Sequence, residues 1–134
     1  MDSNMIRPFC LQEGDIVAMI APAGVLKQNH EVIQRTKIVL KNWGLKVVFG
    51  KNIEKKLNHF AGSDKDRTDD FQWALDNPKI KAIWCARGGY GSQRIIDKLN
   101  FEKFKKNPKW IVGYSDITVF HEKLHKLGYQ SIHG

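Results

Sequence analysis

Cysteine is scarce in this sequence: among 134 residues only Cys10 and Cys85 carry a thiol, far apart and in no C-x-x-C pattern. That excludes a disulfide framework and a cysteine-built zinc site, and it fits a reducing compartment. Long apolar runs are also lacking, and none approaches the ~20 residues needed to span a bilayer. The opening stretch from Met1 to Pro8 has no charged start, apolar run or small-residue cleavage site, so no secretory signal is expected there. Acidic residues are outnumbered, 14 against 22 basic ones, for a formal net charge of +8. Such a balance attracts anions: phosphates, carboxylates or nucleic acid. Nucleic acid is not the expected partner, because no helix-turn-helix, zinc-finger or aromatic stacking pattern accompanies the lysines. They are read instead as solvated charge, including the clusters at residues 51–56 and 103–109. Neither internal repeats nor low-complexity segments occur. The expectation is one cytoplasmic domain over residues 1–134, long enough to bury roughly two-thirds of its unfolded surface.

What is present is an alternation of short apolar runs with longer amphipathic ones. Residues 16–21 are continuously apolar, as in a strand covered on both faces. From Asn29 to Trp43, apolar residues recur at three- and four-residue spacings, which predicts a helix, and Gly44 follows where a left-handed cap is favoured. Residues 45–49 read as a second strand and residues 51–68 as a polar loop. A helix is expected over 69–75, closed by Asn77-Pro78. A third strand is expected at 80–86 and a helix over 92–99. A fourth strand at 110–113 leads into a helix over 117–127, stopped by Gly128. Residues 130–133 begin another extended stretch. This order predicts an α/β fold, a mostly parallel sheet with helices on both faces. Ligands of such sheets bind beyond the carboxyl ends of the strands. Three turns lie there: residues 21–24, 86–91 and 113–116.

Gly113-Tyr114-Ser115-Asp116 runs from a strand straight into a helix. A serine on so sharp a turn projects its hydroxyl above the sheet, and the next amides point into the same space. The match to G-x-S-x-G is incomplete, since Ile117 stands where a small residue is usual. Ser115 with Asp116 also fits an ordinary helix start. Arg87-Gly88-Gly89-Tyr90-Gly91 is a second such turn. Its glycines let backbone amides approach an anion, and Arg87 can pair with a carboxylate. A small-anion or nucleotide-binding module is the alternative reading, although the spacing matches neither standard phosphate loop. Candidate bases are His30, His59, His121, His125 and His133. His121-Glu122-Lys123-Leu124-His125 satisfies H-E-x-x-H formally, but no third zinc ligand is evident, so no metal is expected.

Taken together, several segments resemble the N-terminal half of the LD-carboxypeptidases, serine peptidases that include muramoyltetrapeptide carboxypeptidases and the microcin C self-immunity peptidases. They are Leu11 to Val17 with Ala21-Pro22-Ala23-Gly24, then Phe60-Ala61-Gly62-Ser63-Asp64 with Arg67 and Asp70. Next come Ala86 to Gly91, Gly113 to Thr118, and His133-Gly134. The resemblance implies Ser115 as nucleophile, with the backbone amides of Asp116 and Gly89 as oxyanion donors. Arg87 and Tyr90 are placed near the substrate. The implied reaction is metal- and cofactor-independent hydrolysis of an amide beside a free carboxylate. In the cell-wall branch that removes the terminal D-alanine of a murein tetrapeptide; in the immunity branch it cleaves an aminoacyl-nucleotide amide. The family's triad glutamate and histidine come from a C-terminal domain, for which this chain has no counterpart residues. The 134-residue chain is therefore expected to be inactive or nearly so by itself. The resemblance also implies a small peptide substrate and a tendency to homodimerise.

Overall fold

The computed structural model describes residues 5–24, 30–57 and 60–134. Expectations on Asn29, on His59 and on the first four residues of the opening stretch lie outside those residues. Five strands form one sheet: β1 (Ile16–Ile20), β2 (Lys46–Phe49), β3 (Ile80–Cys85), β4 (Trp110–Gly113) and β5 (Ile132–His133). Their order is β2-β1-β3-β4-β5 and every pairing is parallel. The helices are α1 (His30–Asn42), α2 (Asp64–Asp76), α3 (Ser92–Ile95), α4 (Glu102–Lys106) and α5 (Thr118–Leu127). The expected α/β fold is the observed one.

Successive residues of β1 point to opposite faces, so its apolar run serves two cores. Val17 and Met19 pack with Ile33 and Leu40 of α1 and with Ala82 of β3. Ala18 and Ile20 join Phe71, Ala74 and Leu75 of α2 and Phe120 and Leu124 of α5. Phe71 and Phe120 meet with ring centroids 4.6 Å apart. The chain steps from β1 to β2 on one side and returns to β3 on the other. The strand order therefore reverses between β1 and β3, where parallel sheets open a crevice at their carboxyl ends.

Several boundaries differ from expectation. α2 begins at Asp64 rather than at residue 69, inside the stretch read as loop. Ser63 Oγ accepts from the Asp66 amide at 3.0 Å while Asp66 Oδ2 accepts from the Ser63 amide at 3.1 Å, a reciprocal cap that starts the helix with no apolar spacing to announce it. The helix expected over 92–99 is α3 followed by a 3₁₀ turn, Ile96–Lys98. α4 was not expected at all. It lies in the lysine-rich stretch and turns only Phe104 into the core. Lys109, read as solvated, is 1% exposed. Its ammonium donates to the Ala74 and Asn77 carbonyls at 2.7 and 2.8 Å, closing the carboxyl end of α2.

Candidate active site

The turn after β4 carries a backbone anomaly. Among the described residues, Ser115 alone is a non-glycine with positive φ, at +61°. L-residues avoid this region because Cβ crowds the backbone, and such strain persists only where its surroundings impose it. Gly113 shows how tight the bend is: a Cβ there would stand 2.7 Å from Cγ2 of Ile117. Ile117 is fully buried beneath the turn. The bulky residue that breaks the G-x-S-x-G pattern is thus what fills the space under the serine. Ser115 itself is exposed, and among the described residues its hydroxyl has no hydrogen-bond partner.

Facing it is the glycine-rich turn. A Cβ on Gly88 would lie 3.0 Å from Cβ of Ser115, 3.0 Å from the Tyr114 carbonyl oxygen and 3.2 Å from the Asp116 amide nitrogen. Any side chain at Gly88 would crowd these atoms and press the two turns apart. The turn after β1 closes the third side. The Gly24 amide donates to the Gly88 carbonyl at 2.8 Å, and Gly89, with φ +94°, stacks against Gly24. Sequence distances of more than 20 residues thus collapse into one backbone cluster at the sheet's carboxyl edge. The amides of Gly89 and Asp116 have no hydrogen-bond partner among the described residues. Tyr90 stands out at 72% exposure. Arg87 is half-buried, its guanidinium carbon 3.6 Å from where a Gly24 Cβ would be.

Charged side chains brace these turns from behind. Arg67 is 1% exposed and donates to the carbonyls of Pro22 at 3.0 Å, Gly91 at 2.8 Å and Gly62 at 3.4 Å. It also pairs with Asp64 and lies over the Phe60 ring at 4.7 Å. One guanidinium therefore fastens the β1 turn, the start of α2 and the glycine-rich turn. Burial pulls its pKa down, and the Asp64 carboxylate opposes that shift. Asp64 is itself held below the usual carboxylate range, first by its hydrogen bond to Arg94. Asp70 accepts from the Asn52 amide at 2.9 Å and side chain at 3.0 Å, anchoring the loop after β2. Burial raises its pKa despite those donors. Asp116 is a further brace, its Oδ2 accepting from the Ser92 amide at 2.9 Å. Sequence motifs flagged Arg67 and Asp70, but nothing in their spacing showed which carbonyls or amides they would reach.

Of the candidate bases, His59 and the His30 side chain lie outside the described residues. None of His121, His125 and His133 is hydrogen-bonded to Ser115. The two ring nitrogens of His121 are taken by the Gly113 carbonyl and the Ser131 hydroxyl. Among the described residues no three histidine, cysteine or carboxylate side chains gather as metal ligands.

A parallel sheet whose fourth strand ends in a strained serine turn, packed against glycine-rich backbone, places that serine at the carboxyl edge where such sheets bind ligands. Residues 17–134 match the LD-carboxypeptidase N-terminal domain, Peptidase_S66, and the chain belongs to that family. A murein tetrapeptide carboxypeptidase of Pseudomonas aeruginosa is 34% identical over 119 residues, which cover 88% of this chain and 38% of that protein. The crystal structure of a muramoyltetrapeptide carboxypeptidase from Oxalobacter formigenes superposes with a TM-score of 0.75 at 36% identity, over 87% of this chain and 38% of that one. The microcin C7 self immunity protein MccF, in complex with aspartyl sulfamoyl adenosine, gives a TM-score of 0.82 at 26% identity, over 92% and 37%. The chain thus spans under half the length of the curated relatives it matches.

Proposed function

We propose that this chain is the nucleophile-bearing domain of a cytoplasmic serine carboxypeptidase that hydrolyses an amide beside a free carboxylate. Its substrate in this reading is a murein tetrapeptide, from which it removes the terminal D-alanine during peptidoglycan recycling. The observation that carries the proposal is Ser115, strained at φ +61° and exposed, with Gly88 in contact. Ser115 Oγ attacks the amide carbonyl carbon and gives up its proton to a base. The carbonyl oxygen takes the negative charge, steadied by the amides of Asp116 and Gly89. The C–N bond then breaks, the amine leaves with a proton, and water releases the acyl group from the serine. Arg87 pairs with the substrate carboxylate and Tyr90 lines the approach.

No described imidazole reaches Ser115, and a serine without a base is a poor nucleophile. The base and its orienting carboxylate belong, in this proposal, to a C-terminal domain like those of the longer relatives. Residues 1–134 alone are then nearly inactive. Likeness to the MccF complex favours a second substrate, an aminoacyl-nucleotide amide. The test is Ser115→Ala in the protein as its gene encodes it, assayed by mass spectrometry on murein tetrapeptide and on an aminoacyl sulfamoyl nucleoside. Turnover of either is expected to vanish, and which one the native protein cuts decides the branch. Undiminished turnover in the alanine variant refutes the assignment. Tight nucleotide binding with no hydrolysis of either compound supports the small-anion module instead.

A further inference from the structure

His121, the first histidine of the H-E-x-x-H spacing, has both ring nitrogens in hydrogen bonds. His121 sits one turn into α5, and its Nε2 lies 2.8 Å from the carbonyl oxygen of Gly113. A carbonyl only accepts, so Nε2 carries the proton. On the neutral ring Nδ1 is then an acceptor, and at 2.6 Å it receives the Ser131 hydroxyl from the segment entering β5. Gly113 is the last residue of β4, two before Ser115. The same carbonyl also accepts from the Gly134 amide at 3.1 Å. The peptide that begins the strained bend is therefore gripped from α5 and from the β5 side, while Ile117 presses it from below.

We infer that His121 is a positioning residue for the nucleophile. Its imidazole bridges Ser131 to the Gly113 carbonyl and so holds the β4 exit in the orientation that keeps Ser115 left-handed. This rests on the reading of Ser115 as nucleophile for its catalytic meaning, although the conformational claim does not. Strain at a single residue must be imposed by its neighbours. Here the imposing contact is a hydrogen-bonded chain of hydroxyl, ring and carbonyl, partly shielded from water.

Glutamine can repeat both bonds, donating from its amide nitrogen to Gly113 and accepting Ser131 at its oxygen; leucine can make neither. The experiment compares His121→Gln and His121→Leu by NMR on the isotope-labelled 134-residue chain. Native His121 is expected as the Nε2-protonated tautomer in its neutral form, and Ser115 is expected to show the couplings and carbon shifts of a left-handed residue. The leucine variant is expected to move the Ser115 and Tyr114 signals and to leave those of Asn52 and Lys109 in place. The glutamine variant restores the native pattern. An Nδ1-protonated ring, or Ser115 signals unmoved by leucine, overturns the inference. Should the leucine variant not fold, the tautomer and the glutamine variant still decide it. Neither readout requires catalysis. In the gene-encoded protein, leucine is expected to lower kcat roughly ten- to a hundredfold at unchanged KM, with glutamine restoring it. Native kcat in His121→Leu, beside a dead Ser115→Ala, overturns the bracing alone. Full activity in Ser115→Ala overturns the nucleophile and leaves the NMR result standing.

Discussion

The carboxylate of Asp116 accepts a hydrogen bond from the backbone amide of Ser92, 2.9 Å away and 24 residues earlier in the chain. Ser92 opens α3, directly after the glycine-rich turn, so this bond locks that turn to the residue following the nucleophile. Asp116 thus contributes twice in the proposed mechanism, by its own amide and by holding the turn that carries the Gly89 amide. Asp116→Ala is expected to cost about 1 kcal/mol of stability and to lower kcat roughly ten- to a hundredfold. Asp116→Asn retains an acceptor oxygen and should recover most of both. Denaturant titration together with kcat of the two variants checks this; equal losses in both would place the effect in the charge rather than in the bond.

Strain at Ser115 makes a prediction for stability that is separate from activity. Glycine adopts φ +61° without the Cβ penalty, whereas alanine keeps it. Ser115→Gly is expected to stabilise the fold by about 1 kcal/mol relative to Ser115→Ala, with both inactive. Thermal unfolding of the pair measures the difference. No gain in the glycine variant means the bend is not strained.

Lys109 links the fold to pH at the sheet end remote from the site. Burial pulls its pKa from 10.5 down to about 8. Between those two values the unfolded chain holds a proton that the folded chain has shed. Stability from this group therefore rises as pH climbs from about 8 to 10.5 and is lowest below 8, where the ammonium is buried and charged. The rise is on the order of 2 kcal/mol, tempered by the two carbonyls that favour the charged form. Lys109→Met should flatten that part of the curve, as denaturation at pH 7.5 and pH 10 would show. An unchanged slope removes Lys109 as its source.

The sheet was legible because short runs such as Val17-Ala18-Met19-Ile20, each ended by a turn, fit strands with both faces covered. The three turns followed from it, since strand ends of a parallel sheet share one edge. The helix boundaries around Asp64 and Glu102 were not legible. Ser63 and Asp66 stabilise the first by capping, and Phe104 alone anchors the second, so neither leaves an apolar period to count. The carbonyls that Lys109 and Arg67 reach were hidden for a related reason. A cation that satisfies carbonyls from distant segments looks in sequence like any solvated one. The imidazole of His121 illustrates the reverse case, a spacing that suggests zinc while both nitrogens are already engaged.

Covalent trapping tests the central claim most directly. The gene-encoded protein, treated with a serine-directed fluorophosphonate and mapped by peptide mass spectrometry, should carry the adduct on Ser115 and lose amidase activity in step with labelling. An adduct on another residue accompanying the loss, or full labelling of Ser115 with activity intact, would contradict the account.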